Sequence, residues 1–466
     1  PIGPGTPLPA VSIHLACSNE PPAMVIAAID CLLALDWPDF EVLVVDNNTQ
    51  DPELWRPVQA HVHARMQALS ATTAGADATV AQAPVQRPKS PRLRFFHLPT
   101  WPGFKAGALN YALEQTDPNA AWVAVVDADY LVQPGWLRAL AGYFTDSNVG
   151  IVQAPQAHRD WGGRRLGRMM NWEYDGFFRI GMHHRHERDA IVQHGTMTLI
   201  RAAALRQVGG WATDCVCEDT ELGLRLLQRG LRAVYVDRVL GTGLVPTDFA
   251  AYRRQRRRWA QGAMQILRRH GRALLGPSAL RLGQRYHFVA GWLPWMGDAL
   301  HLVFSLAAIA WTLGLLAAPH LFGVPFALFI VPLAVFFLAR LVLGPLLYWR
   351  RVPCPPGDIL GAALAGMGLS HSIARGVLAG LTRRRAVFEV TRKGPAPVLV
   401  GPAPAPVQPG GLPASVREEA ALLLGLLVCV ASLALRREPG DVALAMWMVV
   451  LVMQALPYAA ALGCAR

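Results

Sequence analysis

The chain has 466 residues, 53% of them hydrophobic and 16% charged, with a mean hydropathy of +0.27 and a formal net charge of +12. That length and apolar content exclude a disordered chain and a small disulfide scaffold, and they place part of the chain in lipid. Only Lys89, Lys105 and Lys393 among the 44 basic residues are lysines, so arginine in place of lysine carries little meaning at any single position.

Pro1 in place of a methionine reads as a processed or excised start, with room for membrane segments upstream. From there to about residue 240, short β-rich apolar runs alternate with amphipathic helical runs, the pattern of a parallel or mostly parallel α/β sheet. The predicted strands are VSIHLAC (11–17), EVLVVD (41–46), RLRFFH (92–97), WVAVVD (122–127), VGIVQ (149–153) and RAVYV (232–236). An Ala-, Thr- and Pro-rich stretch over 66–91 reads as a surface insertion without structure of its own. The seven cysteines show no paired spacing beyond Cys215 and Cys217, which favours reduced thiols over a zinc site.

Acidic residues recur where predicted strands end. Glu20 follows the first strand, Asp46 closes the second, and AWVAVVDADY (121–130) delivers Asp127 and Asp129 after a fully apolar run. In an open α/β sheet the ligand crevice lies beyond the carboxyl ends of the strands, where these groups would gather. One such acid can be a helix cap, but three at one sheet edge point to a site. The Asp127–Asp129 pair offers the hard oxygens that Mg2+ or Mn2+ takes when it bridges a nucleotide diphosphate. Asp46 suits a nucleobase or ribose edge.

GFKAGALNYAL (103–113) opens a helix on Lys105, with Asn110 further along, and favours an anion. CVCEDTELGLRLLQRG (215–230) sets Glu218 and Asp219 at the head of an amphipathic helix that buries Leu222, Leu226 and Leu227. Asp219 is the candidate general base, although spacing does not separate it from Glu218 or Glu221. His194, between apolar flanks and beside Gly195, either lines the crevice or packs in the core.

YRRQRRRWAQG (252–262) concentrates five arginines, and nucleic acid, lipid headgroups and a phosphorylated ligand all suit such charge. Beyond it, apolar stretches at 297–317, 321–348, 420–435 and 441–464 predict four membrane spans. The segment 357–381 carries His371 and Arg375 and is flanked by arginines, which fits a helix lying in the membrane interface. The positive-inside rule places the N-terminal domain in the cytoplasm, and a cytosolic arginine cluster beside a span is explained by orientation and headgroups without nucleic acid. Asp298 and His301, one turn apart in the first span, line a polar path or pair with each other.

In this order the motifs resemble those of the membrane-embedded family 2 glycosyltransferases, the group of cellulose, curdlan and related β-glucan synthases. The resemblance runs from about residue 10 to 395. The series D, D-x-D, E-D and Q-x-x-R-W stands here as Asp46, Asp127 with Asp129, Glu218 with Asp219, and Gln255, Arg258 and Trp259. The F-x-V-T-x-K gating loop stands as Phe388, Val390, Thr391 and Lys393.

The resemblance implies a GT-A-type, Rossmann-like cytosolic glycosyltransferase domain over 10–245, followed by an α-helical transmembrane region. The expected order is amphipathic helices with Q-x-x-R-W (246–285), two spans (286–349), the interface helix and gating loop (357–395), a Pro-rich linker (396–418) and two spans (419–466). It implies a UDP-sugar donor, UDP-glucose above all, a growing glucan acceptor and a Mg2+ or Mn2+ ion, in a bacterial inner membrane. Glu20, Asp46, Lys105, Asp127, Asp129, Gln255 and Arg258 would bind the nucleotide-sugar, and Asp219 would be the base. His194, Gly195, Thr196, Glu218 and Trp259 would meet the acceptor. HGT at 194–196 departs from the family's small Cys-Gly-Ser-like pocket, and the stretches FEVLVVDNNTQDPELWRPV (40–58), QHGTMT (193–198) and GQRYHFVAGWLPW (283–295) resemble β-(1,3)-type or cyclic glucan synthases more than cellulose synthases. Non-processive transfer to a lipid acceptor and a basic membrane protein without catalysis stand as the rival readings.

Overall fold

The computed structural model describes residues 8–76, 91–382, 413–436, 438 and 441–465. They divide into two compact units. The first comprises Pro1–Arg159, Gly181–Leu244 and Arg269–Phe288, and the second Asp160–Ile180, Val245–Arg268 and Val289–Arg466.

The first unit is built on a seven-stranded sheet. Its strands in chain order are β1 (Val11–Cys17), β2 (Phe40–Asn47), β3 (Arg92–Leu98), β4 (Trp122–Asp127), β5 (Val149–Gln153), β6 (Thr198–Arg201) and β7 (Arg232–Tyr235). Their spatial order is β3-β2-β1-β4-β6-β5-β7. Six of these strands fall on the predicted runs. β1, β2 and β4 are buried along almost their whole length, so β2 and β4 read as runs of consecutive apolar residues, while β1 alternates Val11, Ile13 and Leu15 with the buried Ser12 and His14. Each fully buried Val or Ile of this core contributes about 1.5–3 kcal/mol against its exposed state.

β6 is the strand that periodicity does not reveal, and it runs antiparallel to both β4 and β5. Because it is reversed, its beginning rather than its end lies at the carboxyl edge of β4. The segment 194–196, just ahead of β6, is thereby delivered to the same edge as Asp127. The stretch 66–91 differs from expectation too: residues up to Ala76 continue a 25-residue helix, Pro52–Ala76. The remainder, 77–90, lies outside the described residues.

The second unit contains the arginine-rich helix and four helices long and apolar enough to cross a membrane. These are Leu282–Ala317, whose first residues belong to the first unit, Leu328–Arg351, Ala414–Arg436 and Val442–Cys464. The core between them is large and aromatic, with Trp447, Tyr458, Phe329 and Leu426 fully buried. Asp298 does not pair with His301; it is buried, takes two hydrogen bonds from Arg340 at 2.7 and 2.8 Å, and one from Ser370 at 2.7 Å. Burial of a carboxylate in such a setting is tolerable only with that full complement of partners.

The segment expected as one interfacial helix forms two, Pro356–Gly368 and Ser370–Thr382. The second buries Ser370 to Ala374 and presents Gly376 and Gly380 to the helix Phe249–Leu275. A Cβ at these glycines would meet the carbonyl oxygens of Arg257 and Gln261 at 2.4 and 2.5 Å. The two helices thus touch backbone to backbone, as small residues four apart permit.

Candidate active site

Strand register decides which predicted site residues meet. Cys17 lies opposite Asp46, Asp46 opposite His97, and Ala16 opposite Asp127, so all of them stand at one edge of the sheet. That edge includes the point between β1 and β4 where the strand order reverses, the position of the ligand crevice in open α/β sheets.

Two clusters form there. In the first, the buried Asp46 accepts from the Thr49 hydroxyl at 2.6 Å and hydrogen-bonds His97 Nδ1 at 2.7 Å. Trp55 stacks on the His97 ring, 4.1 Å between centres and 16° between planes. Burial pushes the Asp46 carboxyl above the ordinary range, while Thr49 and His97 work against it. Cys17, Glu20, Thr49 and Trp55 border a small cleft with Asp46.

The second cluster centres on Lys105, which enters as the second residue of helix Phe104–Gln115. Left-handed backbone at Gly103 (φ 85°) turns the chain into that helix. The Lys105 ammonium pairs with Asp127 and donates to the Gly195 carbonyl at 3.1 Å. Burial opposes its charge, but Asp127, Glu218 and Asp219 outweigh burial and hold it protonated. Gly195 lies against both partners, since a Cβ there would be 2.9 Å from Lys105 Nζ and 3.1 Å from Asp219 Oδ2. Thr196, fully buried, accepts from the Asp127 amide at 3.0 Å. Burial raises the Asp219 carboxyl, the Lys105 charge counters it, and Asp127 adds to the rise. A carboxylate poised in this way suits proton abstraction.

The three acids at the head of helix Glu218–Gln228 are no longer equivalent. Glu221 is fully buried, accepts from Arg225 at 2.7 Å and hydrogen-bonds His270 at 2.9 Å. Burial would raise it, yet these partners hold it below the ordinary range. It therefore braces the helix, whereas the charges of Glu218 and Asp219 both act on Lys105, and Asp219 is the one whose carboxylate lies against Gly195. Asn110, expected near an anion, is instead tied to both main-chain polar groups of Trp211 at 2.8 Å.

Asp129 turns from the strand end towards the short strand Gly241–Gly243, where its Oδ2 accepts from the Leu244 amide at 2.9 Å. Glu20 is pushed up to about 8, by burial first and then by the charges of Asp129 and Asp127, although the Ser18 amide counters it. Asp127 and Asp129 offer hard carboxylate oxygens two residues apart, one paired with Lys105 and the other accepting from the Leu244 amide, and such oxygens are the donor type that suits a divalent cation beside a diphosphate. Among the described residues no group of three or more His, Cys, Asp or Glu side chains is assembled for a metal ion. His194 is held neutral, its pKa near 3, through burial and the Arg185 charge. Its amide donates to Gln153 Oε1 at 3.0 Å, and the Gln153 Nε2 bonds the Thr196 carbonyl at 2.9 Å, which fixes the loop.

In the second unit, Gln255, Arg258 and Trp259 lie on helix Phe249–Leu275 and are partly exposed. Two neighbouring arginines do not face headgroups as expected. Arg253 pairs with Glu419, and the buried Arg256 pairs with Glu173. Phe388, Val390, Thr391 and Lys393 lie outside the described residues. Cys17, Thr49, Trp55, His97 and Gln153 complete the site without having been singled out. Strand-end position is the signal available for Cys17, His97 and Gln153, and none marks Thr49 or Trp55.

Residues 122–352 match the family model described as Glycosyl transferase family group 2. The chain is 27% identical over 238 residues to the cellulose synthase 1 catalytic subunit (UDP-forming) of Komagataeibacter xylinus, covering 47% of this chain and 31% of that protein. It is 27% identical over 190 residues to the probable glucomannan 4-beta-mannosyltransferase 7 of Oryza sativa subsp. japonica, covering 40% of this chain and 32% of that one. The matched region thus spans 31% and 32% of these two relatives. A solved mannosyltransferase from Pyrobaculum calidifontis, in complex with GDP-Man and Mn2+, shares the fold at a TM-score of 0.51 and 19% identity, covering 81% of this chain and 88% of that chain.

Proposed function

We propose that this chain, whose residues 122–352 match the model of glycosyl transferase family group 2 and whose described residues include four helices long and apolar enough to cross a membrane, polymerises glucose from UDP-glucose into a β-glucan. The observation that carries the reading is the convergence of Asp127, Lys105, Gly195 and Asp219 at the carboxyl end of β4.

In the reaction the acceptor hydroxyl oxygen attacks the anomeric carbon as its bond to the diphosphate breaks on the opposite face, inverting the centre. Asp219 takes the hydroxyl proton. The leaving diphosphate gains negative charge, and fixed positive charge there is most effective. A unit charge 4 Å away contributes about 4 kcal/mol at an effective dielectric near 20, before desolvation is subtracted. Lys105 supplies one such charge and Arg258, on this reading, another. A bound Mg2+ or Mn2+, held by Asp127 and Asp129, would supply further neutralisation of the diphosphate. Asp46, with Thr49 and His97, would take the uridine edge, with Gln255 and Glu20 on the donor side. His194, Gly195, Thr196, Glu218 and Trp259 would frame the acceptor, and the spans would pass the product across the membrane from a cytoplasmic catalytic domain.

The relatives' names support polysaccharide synthesis and favour a second donor, since one group is named for mannosyl transfer. The glucomannan relative's name also specifies a 4-beta-mannosyl transfer, which weighs against the β-1,3 linkage expected from the sequence. One experiment tests donor and linkage together. Purified protein in nanodiscs is given labelled UDP-glucose or GDP-mannose with Mg2+ or Mn2+, and the product is sized and digested with linkage-specific glycanases. A polymer from UDP-glucose supports the proposal; a polymer from GDP-mannose alone replaces the donor, and a single glycolipid species refutes processive synthesis.

A further inference from the structure

Arg256 is 8% exposed and sits among rings. The centre of its guanidinium lies 4.5 Å from the Trp259 ring, 5.1 Å from Tyr252 and 5.5 Å from Tyr174. Its Nη2 donates to Glu173. Glu173 accepts the Tyr252 hydroxyl as well, at 2.6 Å, and its main-chain carbonyl accepts from Tyr348 at 2.9 Å. Tyr174 stacks on Trp259 with ring centres 5.9 Å apart and planes at 28°.

Residues 252, 256 and 259 follow the i, i+4, i+7 spacing of one helical stripe, so the helix presents Tyr252, Arg256 and Trp259 as a row. Glu173 and Tyr174 meet that row from the helix Arg165–Gly176. An arginine removed from water loses hydration that one carboxylate and a set of π-faces recover only in a defined geometry. The indole of Trp259 correspondingly lies against the guanidinium and the Tyr174 ring, while the residue remains partly exposed. Lysine cannot reproduce this, because a compact ammonium has no planar fork to bond a carboxylate and lie along a ring together.

We propose that Arg256 is a positioning residue for acceptor binding: with Glu173 and Tyr174 it sets the Trp259 indole in the orientation that stacks on the sugar at the growing end. This rests on the reading of the protein as a polymerising glycosyltransferase in which Trp259 meets the acceptor. It separates the roles of two arginines two positions apart, Arg258 for the donor diphosphate and Arg256 for the acceptor platform.

The test compares wild type, Arg256→Lys, Arg256→Met and Glu173→Gln in nanodiscs. Labelled UDP-glucose is the donor, and β-1,4- and β-1,3-linked glucose tetrasaccharides are the acceptor probes. Loss of the cation over the ring raises the acceptor KM about tenfold in Arg256→Met, while the donor KM moves less than about twofold. Arg256→Lys recovers part of the acceptor KM. Glu173→Gln, which keeps the stack and removes the ion pair, shows the same split at smaller size, and it carries the test if Arg256→Met does not fold. An acceptor KM unchanged in the folded variants, or donor and acceptor KM rising in equal proportion, overturns the positioning role. Absence of sugar transfer in the wild type from labelled UDP-glucose and from labelled GDP-mannose alike rejects the transferase reading instead.

Discussion

Lys105 and Gly195 are joined directly, the lysine ammonium donating to the glycine carbonyl at 3.1 Å, so that the loop ahead of β6 closes on the helix that follows β3. Asp127 and Asp219 stand on either side of this contact. Adding one methyl at residue 195 tests how closely the cluster is set. The Cβ of Gly195→Ala would press on Lys105 Nζ and Asp219 Oδ2, both ends of side chains that can move aside. Stability should change by less than about 1 kcal/mol while kcat/KM falls on the order of a hundredfold, the cost of displaced reacting groups. Thermal unfolding beside a transfer assay reads both.

Asp129 combines a structural bond with a proposed metal role, and Asp129→Asn separates them. The amide oxygen of asparagine still accepts from Leu244, so the melting temperature should hold within a few degrees. The lost charge should raise the Mg2+ or Mn2+ concentration for half-maximal transfer by about tenfold or more. A metal titration that matches the wild type would remove Asp129 from the metal site.

His14 gives the first unit a pH dependence of known sign. Its ring is fully buried, its Nε2 lies 2.8 Å from the Thr116 hydroxyl, and burial, with the charges of Arg206 and Arg94, lowers its pKa to about 3. The unfolded chain binds this proton below about pH 6.5 and the folded chain does not, so the stability is complete above that pH and declines as the pH falls towards 3. The loss is about 1.4 kcal/mol per pH unit, or about 2 kcal/mol between pH 6.5 and 5. His14→Gln should flatten the fall in unfolding midpoint between pH 7 and 5, and a wild-type slope in that variant would assign the effect elsewhere.

The contact of Gly376 and Gly380 with the arginine-rich helix leaves no room for side chains. Gly376→Ala places a Cβ 2.4 Å from the Arg257 carbonyl oxygen, a backbone atom that cannot rotate away. The expected cost is about 1–3 kcal/mol, seen as a lowered melting temperature in detergent. An unchanged melting temperature would mean that the helices part without penalty.

The sheet is legible because β2 and β4 carry runs of consecutive apolar residues and β1 alternates Val11, Ile13 and Leu15 with Ser12 and His14. β6 is not: its four residues, Thr198 to Arg201, run straight into the helix Ala202–Gln207 with no turn residue between, and nothing local announces a reversed direction. The acids Asp46, Asp127 and Asp219 were visible because each ends a strand or opens a helix. Thr49, Trp55 and His97 were hidden because strand register and packing, rather than sequence spacing, bring them to Asp46. The pairing of Arg253 and Arg256 is hidden for a similar reason. Which of five neighbours is buried depends on Glu173 and Glu419, some 80 and 166 residues away.

Asp219 as the base in sugar transfer is the central claim, and Asp219→Asn tests it most directly. Asparagine keeps the shape and can accept from the Thr220 amide as Asp219 does at 2.7 Å, but it cannot take a proton. Calorimetric titration with UDP and single-turnover transfer from labelled UDP-glucose are measured on the same preparation. The account predicts UDP affinity within about threefold of wild type and transfer reduced by about a thousandfold or more. Transfer at the wild-type rate in that variant would contradict it.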